Sequence, residues 1–452
     1  MNGVRTIVAP TGRKKTFPDE ELEGRAQDPA SVRTSQNISI HVGAEKCGEL
    51  PKGWIRLSIG EVGRWFGGGT PSKSNPRFWT GGNIPWVSPK DMKFDIITDA
   101  QDHITEDAVA QSATNLVEAG SILIVVRSGI LQHTLPVAVA QRQVALNQDL
   151  KAVKPLENIR SDYLALALKA FERDILHTCT KTGTTVQSLE LPVFLRFQIP
   201  VAPVPEQRRI VAEIEKQFTR LDAGVVALRR VQANLKRYRA AVLKAACEGR
   251  LVPSNLTAWK RLKVSEIGEA VTGNTPPTSD KENLGDELPF FKPTDLDAGY
   301  NVREARQYLS AKGAELGRTL PAGSVLVTCI GATIGKTGFA RVDCATNQQI
   351  NALVTNPQIA TPQWAFWFFS SPVGQQQIKT NASATTLPIL NKSKFEALEF
   401  PLPPLGEQTR IVAEVERRLS VVEELEAMVS ANLQRATRLR QSILQQAFAG
   451  EL

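Results

Sequence analysis

The stretch IPVAPVPEQRRIVAEIEKQF begins at Ile199 and returns, 201 positions later, as FPLPPLGEQTRIVAEVERRL from Phe400. The register holds without a gap from Ile199 to Leu251 against Phe400 to Leu452, and both copies finish in Gly-x-Leu, at Gly249 and Leu251 and at Gly450 and Leu452. Looser matches precede each copy in the same order. GWIRLSIGEVGRWFGGGTP at 53 answers AWKRLKVSEIGEAVTGNTP at 258, IPWVSPKDM at 84 answers LPFFKPTDL at 288, and AGSILIV at 119 answers AGSVLVT at 322. ALNQDLKAV at 145 then matches ATNQQINAL at 345, and GTTVQSL at 183 matches ATTLPIL at 384. One structural unit is therefore made twice, and any fold for this chain must accommodate the pair. Each unit is a variable domain of about 150 residues followed by a better-matched segment of about 50, within the usual range of domain sizes.

In the better-matched segments apolar residues recur at alternating steps of three and four. In the first copy they are Val211, Ile214, Phe218, Leu221, Val225, Leu228, Leu235 and Val242, with polar Gln232 and Arg239 in place. In the second they are Val412, Val415, Leu419, Val422, Val429, Leu433, Ala436, Ile443 and Ala447, interrupted by Glu426 and Arg440. This is the seam of a coiled coil, not the broader stripe of a helix lying on a globular core. Pro205 suits a first helical turn, where its missing N–H costs nothing, and Gly249 and Gly450 suit helix ends. The second variable domain joins the end of one helix to the start of the other, and domain termini usually lie close together. The two helices must then run antiparallel, as a rod of roughly 65 Å at 1.5 Å per residue.

The expected architecture is α/β (mixed α+β), with two similar domains held apart by an antiparallel two-helix coiled coil and related by an approximate two-fold axis. The expected boundaries are a disordered tail at 1–49, domain one at 50–198, helix one at 199–253, domain two at 254–399 and helix two at 400–452. Gly and Pro punctuate short strand-like blocks in both variable domains, with one helix each expected at Ser161 to His177 and Thr361 to Ile378.

Loop-borne polar residues in these domains are of the types that read base edges and hold phosphates. In copy one they are Thr70, Ser72, Lys73, Arg77, Ser88, Lys90, Lys93, Arg127, Ser128, Asn147 and Gln148. Copy two offers Thr275, Thr278, Lys281, Lys292, Thr294, Lys336, Thr337, Asn347 and Gln348. The net charge of +8 is compatible with a nucleic-acid partner without requiring one. All of the excess lies beyond residue 50, since the first fifty residues carry seven basic and seven acidic side chains.

CIGATIGKTGFA, at 329–340, invites a nucleotide reading through its Gly335-Lys336-Thr337 ending. A phosphate-binding loop needs four residues between its first Gly and the Gly-Lys pair. That position holds Ile330, and Gly331 stands one residue too close. The copy-one counterpart, SGILQHT, puts Gln132 and His133 where Gly335 and Lys336 stand, so a variable loop tip explains both copies. Five scattered cysteines without a Cys-x-x-Cys pair, and four dispersed histidines, argue against a disulfide frame, a zinc site and metal catalysis, and fit a reducing cytoplasm. No apolar run approaches the ~20 residues of a membrane span, and the N-terminus lacks a signal-peptide core.

The helix entries at Val201 to Glu215 and Leu402 to Glu416, the GGGTPS and GNTPPT loops, IPWVSPKDM, GATIGK and the Gly-x-Leu endings resemble the specificity (S) subunit of type I restriction–modification systems. The resemblance covers about residues 50 to 452. It implies two target-recognition domains, each reading one half of an interrupted double-stranded DNA target, and helices that act as spacer ruler and as docking surface for two methyltransferase (M) subunits. Restriction/translocase (R) subunits would join that core. It further implies that this chain is non-catalytic, with S-adenosylmethionine, ATP and Mg expected in the partner subunits. Consistent with this, no Asn/Asp-Pro-Pro-aromatic methyltransferase motif is present; SNPRFW at 74 has a single Pro followed by Arg.

Three alternatives remain at this level. A stand-alone modification system would lack the nuclease. A nucleotide-binding protein would lose ATP on Lys336→Ala. A protein-binding scaffold would show no salt-dependent affinity for DNA.

Overall fold

The computed structural model describes residues 50–181, 186–277, 279–383 and 387–452. The tail expected at 1–49 and the candidate Thr278 lie outside the described residues. Each domain is entered and left through a two-stranded antiparallel ribbon. Ile55–Ser58 pairs with Gln198–Val201 in the first, and Lys260–Lys263 with Glu399–Leu402 in the second. These ribbons bring the ends of each domain together and hand the chain directly to a long helix.

Two sheets follow in each domain. In the first, Gly63–Gly67, Leu150–Pro155, Ile122–Val125, Val137–Ala140 and Ile96–Ile97 are neighbours in that order, and Asp102–Ile104, Ile84–Val87, Val144–Leu146 and Leu116–Val117 form the other sheet. The second domain repeats the plan. Gly268–Thr272, Ile350–Thr355, Val325–Thr328 and Thr337–Phe339 make one sheet; Leu284–Gly285, Tyr308–Leu309, Leu288–Phe291 and Ala345–Thr346 make the other. The all-apolar run Ile122–Val125 is buried at every position, as a strand covered on both faces must be.

At each of the two places where a single helix is expected the structure has two, and further short helices stand at Glu106–Gln111 and Leu191–Arg196 in the first domain and at Val264–Ile267, Ala311–Leu316 and Lys392–Glu396 in the second. Ser161–Ala170 gives way at Phe171 to Glu172–Cys179, and Pro362–Ser370 gives way at Ser371 to Pro372–Asn381. In copy two Pro372 explains the break, because a proline pushes its predecessor out of helical geometry; Ser371 has φ −76° and ψ 157°. In copy one Phe171 breaks the helix without a proline, its side chain drawn against Phe197 and Phe448.

The long helices span Val204–Cys247 and Leu405–Ala449. Pro205 stands in the first turn, and Gly450 caps the second helix with a left-handed φ of +79°. The helices run antiparallel, because interhelical partners descend in one as they rise in the other. Arg209 donates to the Leu452 carbonyl (2.6 Å), Asp222 pairs with Arg440 (2.9 Å), and Arg239 pairs with Glu423 (3.1 Å). Three of the four polar seam positions, Arg239, Glu426 and Arg440, are thus used. Arg239 also reaches Glu426 at 3.9 Å, and the Arg440 guanidinium lies 4.2 Å over the Phe218 ring.

Each domain core is finished by both helices. The first takes Ile210, Val211 and Ile214 from the start of one helix and Ile443, Leu444, Ala447 and Phe448 from the end of the other. The second takes Ile411, Val412, Val415 and Leu419 together with Val242, Leu243, Ala246 and Cys247. Phe448, 1% exposed and 5.0 Å from the Tyr163 ring, contributes about 2–3 kcal/mol by burial.

The shared glutamine of the two helix entries has a structural reason. Gln207 and Gln408 are fully buried. Gln207 accepts from Arg160 N and donates to the Asn158 and Ala202 carbonyls; Gln408 accepts from Thr361 N and donates to those of Ile359 and Pro403. A buried amide so satisfied pins the helix start to the domain before it.

Candidate nucleic-acid interface

In domain one the strands Ile84–Val87 and Val144–Leu146 run parallel, so the loops leaving them emerge at one edge. The Gly-rich loop after Gly67 is drawn to the same edge. Gly69 N donates to the Leu146 carbonyl (2.9 Å), and Asn147 N to that of Val87 (2.9 Å). A Cβ at Gly68 would meet the Asn147 carbonyl oxygen at 1.8 Å, so the approach requires glycine. The hydroxyl of Thr70 then donates to the Gln148 side-chain carbonyl, joining two of the candidate loops.

Copy two repeats this closure. Leu288–Phe291 and Ala345–Thr346 are parallel, and a Cβ at Gly273 would meet the Asn347 carbonyl at 2.3 Å. Thr275 Oγ1 donates to Gln348 Oε1 at 2.6 Å. In both copies Asn147 or Asn347 closes an Asx turn, accepting from Asp149 N or Gln349 N. Gln148 and Gln348 are thereby held exposed, with their NH₂ groups available and their orientation fixed. A carboxamide of this kind offers the donor–acceptor pair that reads adenine in the major groove.

Arg127 joins the edge in domain one. Its Nε lies 2.8 Å from Asp149 Oδ1 while the side chain stays 57% exposed. Ser128 Oγ accepts from Ile130 N and caps the short turn Gly129–Gln132. Lys73 is exposed in the Gly-rich loop beside Ser72, whose hydroxyl lies 2.8 Å from that of Ser74. Lys90 is exposed but paired with Asp102 at 2.8 Å, a contact that raises its pKa. In copy two Lys281 and Thr294 are exposed, and Lys292 lies 5.8 Å over the Phe290 ring.

Other candidates have internal work. Lys336 is only 23% exposed and pairs with Asp297 at 2.6 Å, and the Thr337 hydroxyl donates to the Gly335 carbonyl. A strand, Thr337–Phe339, follows this loop where a phosphate-binding loop would open a helix. Ser88 is buried, donating through N and Oγ to Asp91 Oδ2, so it secures its loop and does not face outward.

Two contributors escaped the sequence reading. Asp91 and its counterpart Asp295 anchor the loop after the parallel strand; Asp295 Oδ2 accepts from Lys292 N at 2.8 Å. The shared Pro-x-Asp in both copies was the available signal. The second is the GTTVQSL/ATTLPIL block. Ser128 N donates to the Gln187 carbonyl, Gly331 N to that of Pro388, and Val186, Leu387 and Ile389 are exposed beside the candidate loops. Among the described residues no His/Cys/Asp/Glu group could hold a metal, and no helix is long and apolar enough to cross a membrane.

A family model described as the type I restriction modification DNA specificity domain matches twice, at residues 51–224 and 257–429. Over 182 residues the chain is 43% identical to the specificity subunit of the type I restriction enzyme EcoR124I/EcoR124II of Escherichia coli, covering 40% of this chain and 45% of that one. The match to the EcoBI specificity subunit of Escherichia coli is 26% identical over 60% of this chain and 62% of the relative. The chain thus spans less than two thirds of either relative's length. The EcoKI specificity subunit of Escherichia coli K12 aligns at 23% identity over 90% of both chains. Among solved structures, a chain from a study of complex assembly and conformational transition in the type I R-M system has a TM-score of 0.73 at 21% identity, covering 90% of this chain and all of that one. The HsdS subunit from Thermoanaerobacter tengcongensis has a TM-score of 0.56 at 21% identity, over the same shares of the two chains. These two likenesses are of fold.

Proposed function

This chain belongs to the type I restriction modification DNA specificity family, and from that premise we propose that it is the DNA-reading subunit of a restriction–modification complex, one domain reading each half of an interrupted target. The observation that carries the reading is the repetition of one closed, polar loop edge, Thr70 with Gln148 and Thr275 with Gln348, on two domains at opposite ends of an antiparallel rod. Two related readers opposed on a strut suit two half-sites on one duplex, with a spacer set by the strut. Lys73, Arg127 and Lys281 supply positive charge toward phosphates, and the glutamine and threonine groups supply base-edge contacts.

Methyltransferase and restriction/translocase subunits are the partners in this reading, and the S-adenosylmethionine, ATP and Mg chemistry is theirs. Support for docking comes from the rod. Val231, Tyr238, Val421, Leu425, Met428 and Leu439 are 40–60% exposed along it, a density of apolar side chains on paired helices that suits further helices laid alongside.

The test is to map methylated adenines in cells carrying the chain with its partner subunits, before and after residues 50–198 are exchanged for those of a relative. The expected result is an interrupted motif in which one half changes and the other is retained. Change in both halves, or an uninterrupted motif, refutes the reading.

A further inference from the structure

The two domains meet the rod differently. In domain two Tyr300 fills the seam between domain and helix. Its ring centroid lies 5.1 Å from Phe339, 4.9 Å from Phe366 and 4.8 Å from Trp367, the Arg341 guanidinium sits 4.3 Å above it, and its hydroxyl donates to Glu416 Oε1 at 2.5 Å.

The duplication identifies the counterparts of these five residues. Val139 and Phe339 pair with equivalent strand positions, Ile122 and Val325, which makes Gln141 the counterpart of Arg341. Tyr163 and Trp364 donate to the carbonyls of Pro200 and Pro401, which sets Ala165 and Leu166 against Phe366 and Trp367. The uninterrupted helical register sets Glu215 against Glu416. All five counterparts, Val139, Gln141, Ala165, Leu166 and Glu215, line an open groove of about 1470 Å³ between domain one and the rod.

Asp95 stands in register with Tyr300, two residues before Ile97 as Tyr300 is before Val302, but it is 75% exposed and pairs with Lys169 at 2.6 Å, so no ring occupies the position. The chain takes ten steps from Val87 to Ile97 but eleven from Phe291 to Val302, whose extra length includes Gly299 at φ +57°. Phe94, on the shorter loop, stands 73% exposed at the mouth. It also has no donor to offer Glu215.

We propose that this groove receives a tyrosine presented by the methyltransferase subunit that docks at the domain-one end of the rod, with its hydroxyl donated to Glu215. The proposal rests on the assembly put forward above. The lining favours this occupant at one end of the groove: Val139, Ala165, Leu166 and Phe218 offer apolar contact to a ring, and Glu215, which Arg160 also faces, offers a carboxylate at the rod side for a donor tip, as Glu416 does for Tyr300 in domain two. Residues 1–49 contain neither tyrosine nor tryptophan, so the chain's own N-terminal stretch lacks the chemistry. The apolar stripe on the rod lies on the flank away from the groove, so the inserted segment reaches round the helices. One consequence is asymmetry: domain two has already filled this position with its own residue, so two methyltransferase subunits are held unequally.

The experiment titrates the purified methyltransferase subunit into the full chain by calorimetry. The comparison is with a chain carrying V139F, A165F and L166W, which copies the walls of domain two, and with E215L. The unaltered chain should show two unequal affinities. The triple variant, which reproduces the aromatic walls that hold Tyr300 in domain two, should strengthen the tighter one severalfold, the size expected for added aromatic contacts. E215L should weaken it severalfold, and since it leaves the apolar walls intact it decides the matter if the triple variant fails to fold. A folded triple variant, or E215L alone, that assembles as tightly as the unaltered chain overturns the proposal while leaving the family reading intact. Failure of the unaltered chain to bind the methyltransferase removes both. Tighter assembly after deletion of residues 1–49 identifies the chain's own segment as occupant, and self-association that strengthens in the triple variant without the methyltransferase identifies a second copy; either result also overturns the proposal.

Discussion

Deleting one heptad from the middle of each long helix, residues 228–234 and 428–434, tests the rod as a ruler. These segments face each other in the antiparallel pairing and their removal keeps the seam in phase, joining Val225 to Leu235 and Glu426 to Ala436. The Arg440–Asp222, Arg239–Glu423 and Arg239–Glu426 contacts all lie outside them, and Val429 is the one buried side chain lost. Seven residues at 1.5 Å shorten the rod by about 10 Å. At 3.4 Å per base pair, distance alone asks for a spacer about three base pairs shorter. Facing asks for less. Three base pairs turn the duplex by about 100°, taking about 10.5 per turn, whereas 10 Å of a supercoil with a pitch of about 150 Å turns the domains by only about 25°. The expected outcome is a preferred gap shortened by between one and three base pairs, with reduced affinity from the torsional compromise. Binding to a panel of duplexes differing only in spacer length, read by fluorescence anisotropy, measures it. An unchanged optimum would show that the helices do not set the gap.

Removing residues 443–452 should disable reading by domain one, at the other end of the sequence, because Ile443, Leu444, Ala447 and Phe448 belong to its core; half-site binding and proteolysis report this, and loss confined to domain two refutes it. Gly68→Ala should weaken recognition of the domain-one half-site by about tenfold or more, since its Cβ has no room beside Asn147 and backbone clashes cost about 1–3 kcal/mol. Arg127→Ala should reduce the slope of log affinity against log salt by about 1 if that guanidinium neutralises a phosphate. Cys179, whose thiol burial pushes up to about 11, and Cys247, Cys329 and Cys344, pushed up to about 12, should resist iodoacetamide until the chain unfolds; rapid native labelling of any of them contradicts the burial.

The parts legible in the sequence were those whose physics is local or repeated. Three–four spacing betrays a helix seam because apolar side chains must return to one face every turn, and chain continuity then dictated its antiparallel sense. Gln232, Arg239, Glu426 and Arg440 read as interruptions, yet Arg239 and Glu426 meet, because which cation faces which carboxylate depends on a pairing between residues nearly two hundred positions apart. Sheet order was illegible for the same reason: Gly63–Gly67 lies beside Leu150–Pro155, and no local pattern specifies that partner. Among the candidate site residues, the Thr–Gln contacts emerged only once parallel strands had brought their loops to one edge. Lys336 shows the reverse. A lysine next to glycine looked like a ligand contact, but an acidic neighbour from another loop, Asp297, engages it.

The sharing of each core between two helices has a consequence for biosynthesis. When the first domain leaves the ribosome it lacks the last wall of its interior, because that wall is supplied by residues 443–448, about 240 positions further along the chain. Until Phe448 has been made, Tyr163 and Phe171 have no partner ring from the second helix, and the nascent chain carries an open greasy surface. A chain broken off before Ile443 therefore carries a first domain whose interior stays open on one side.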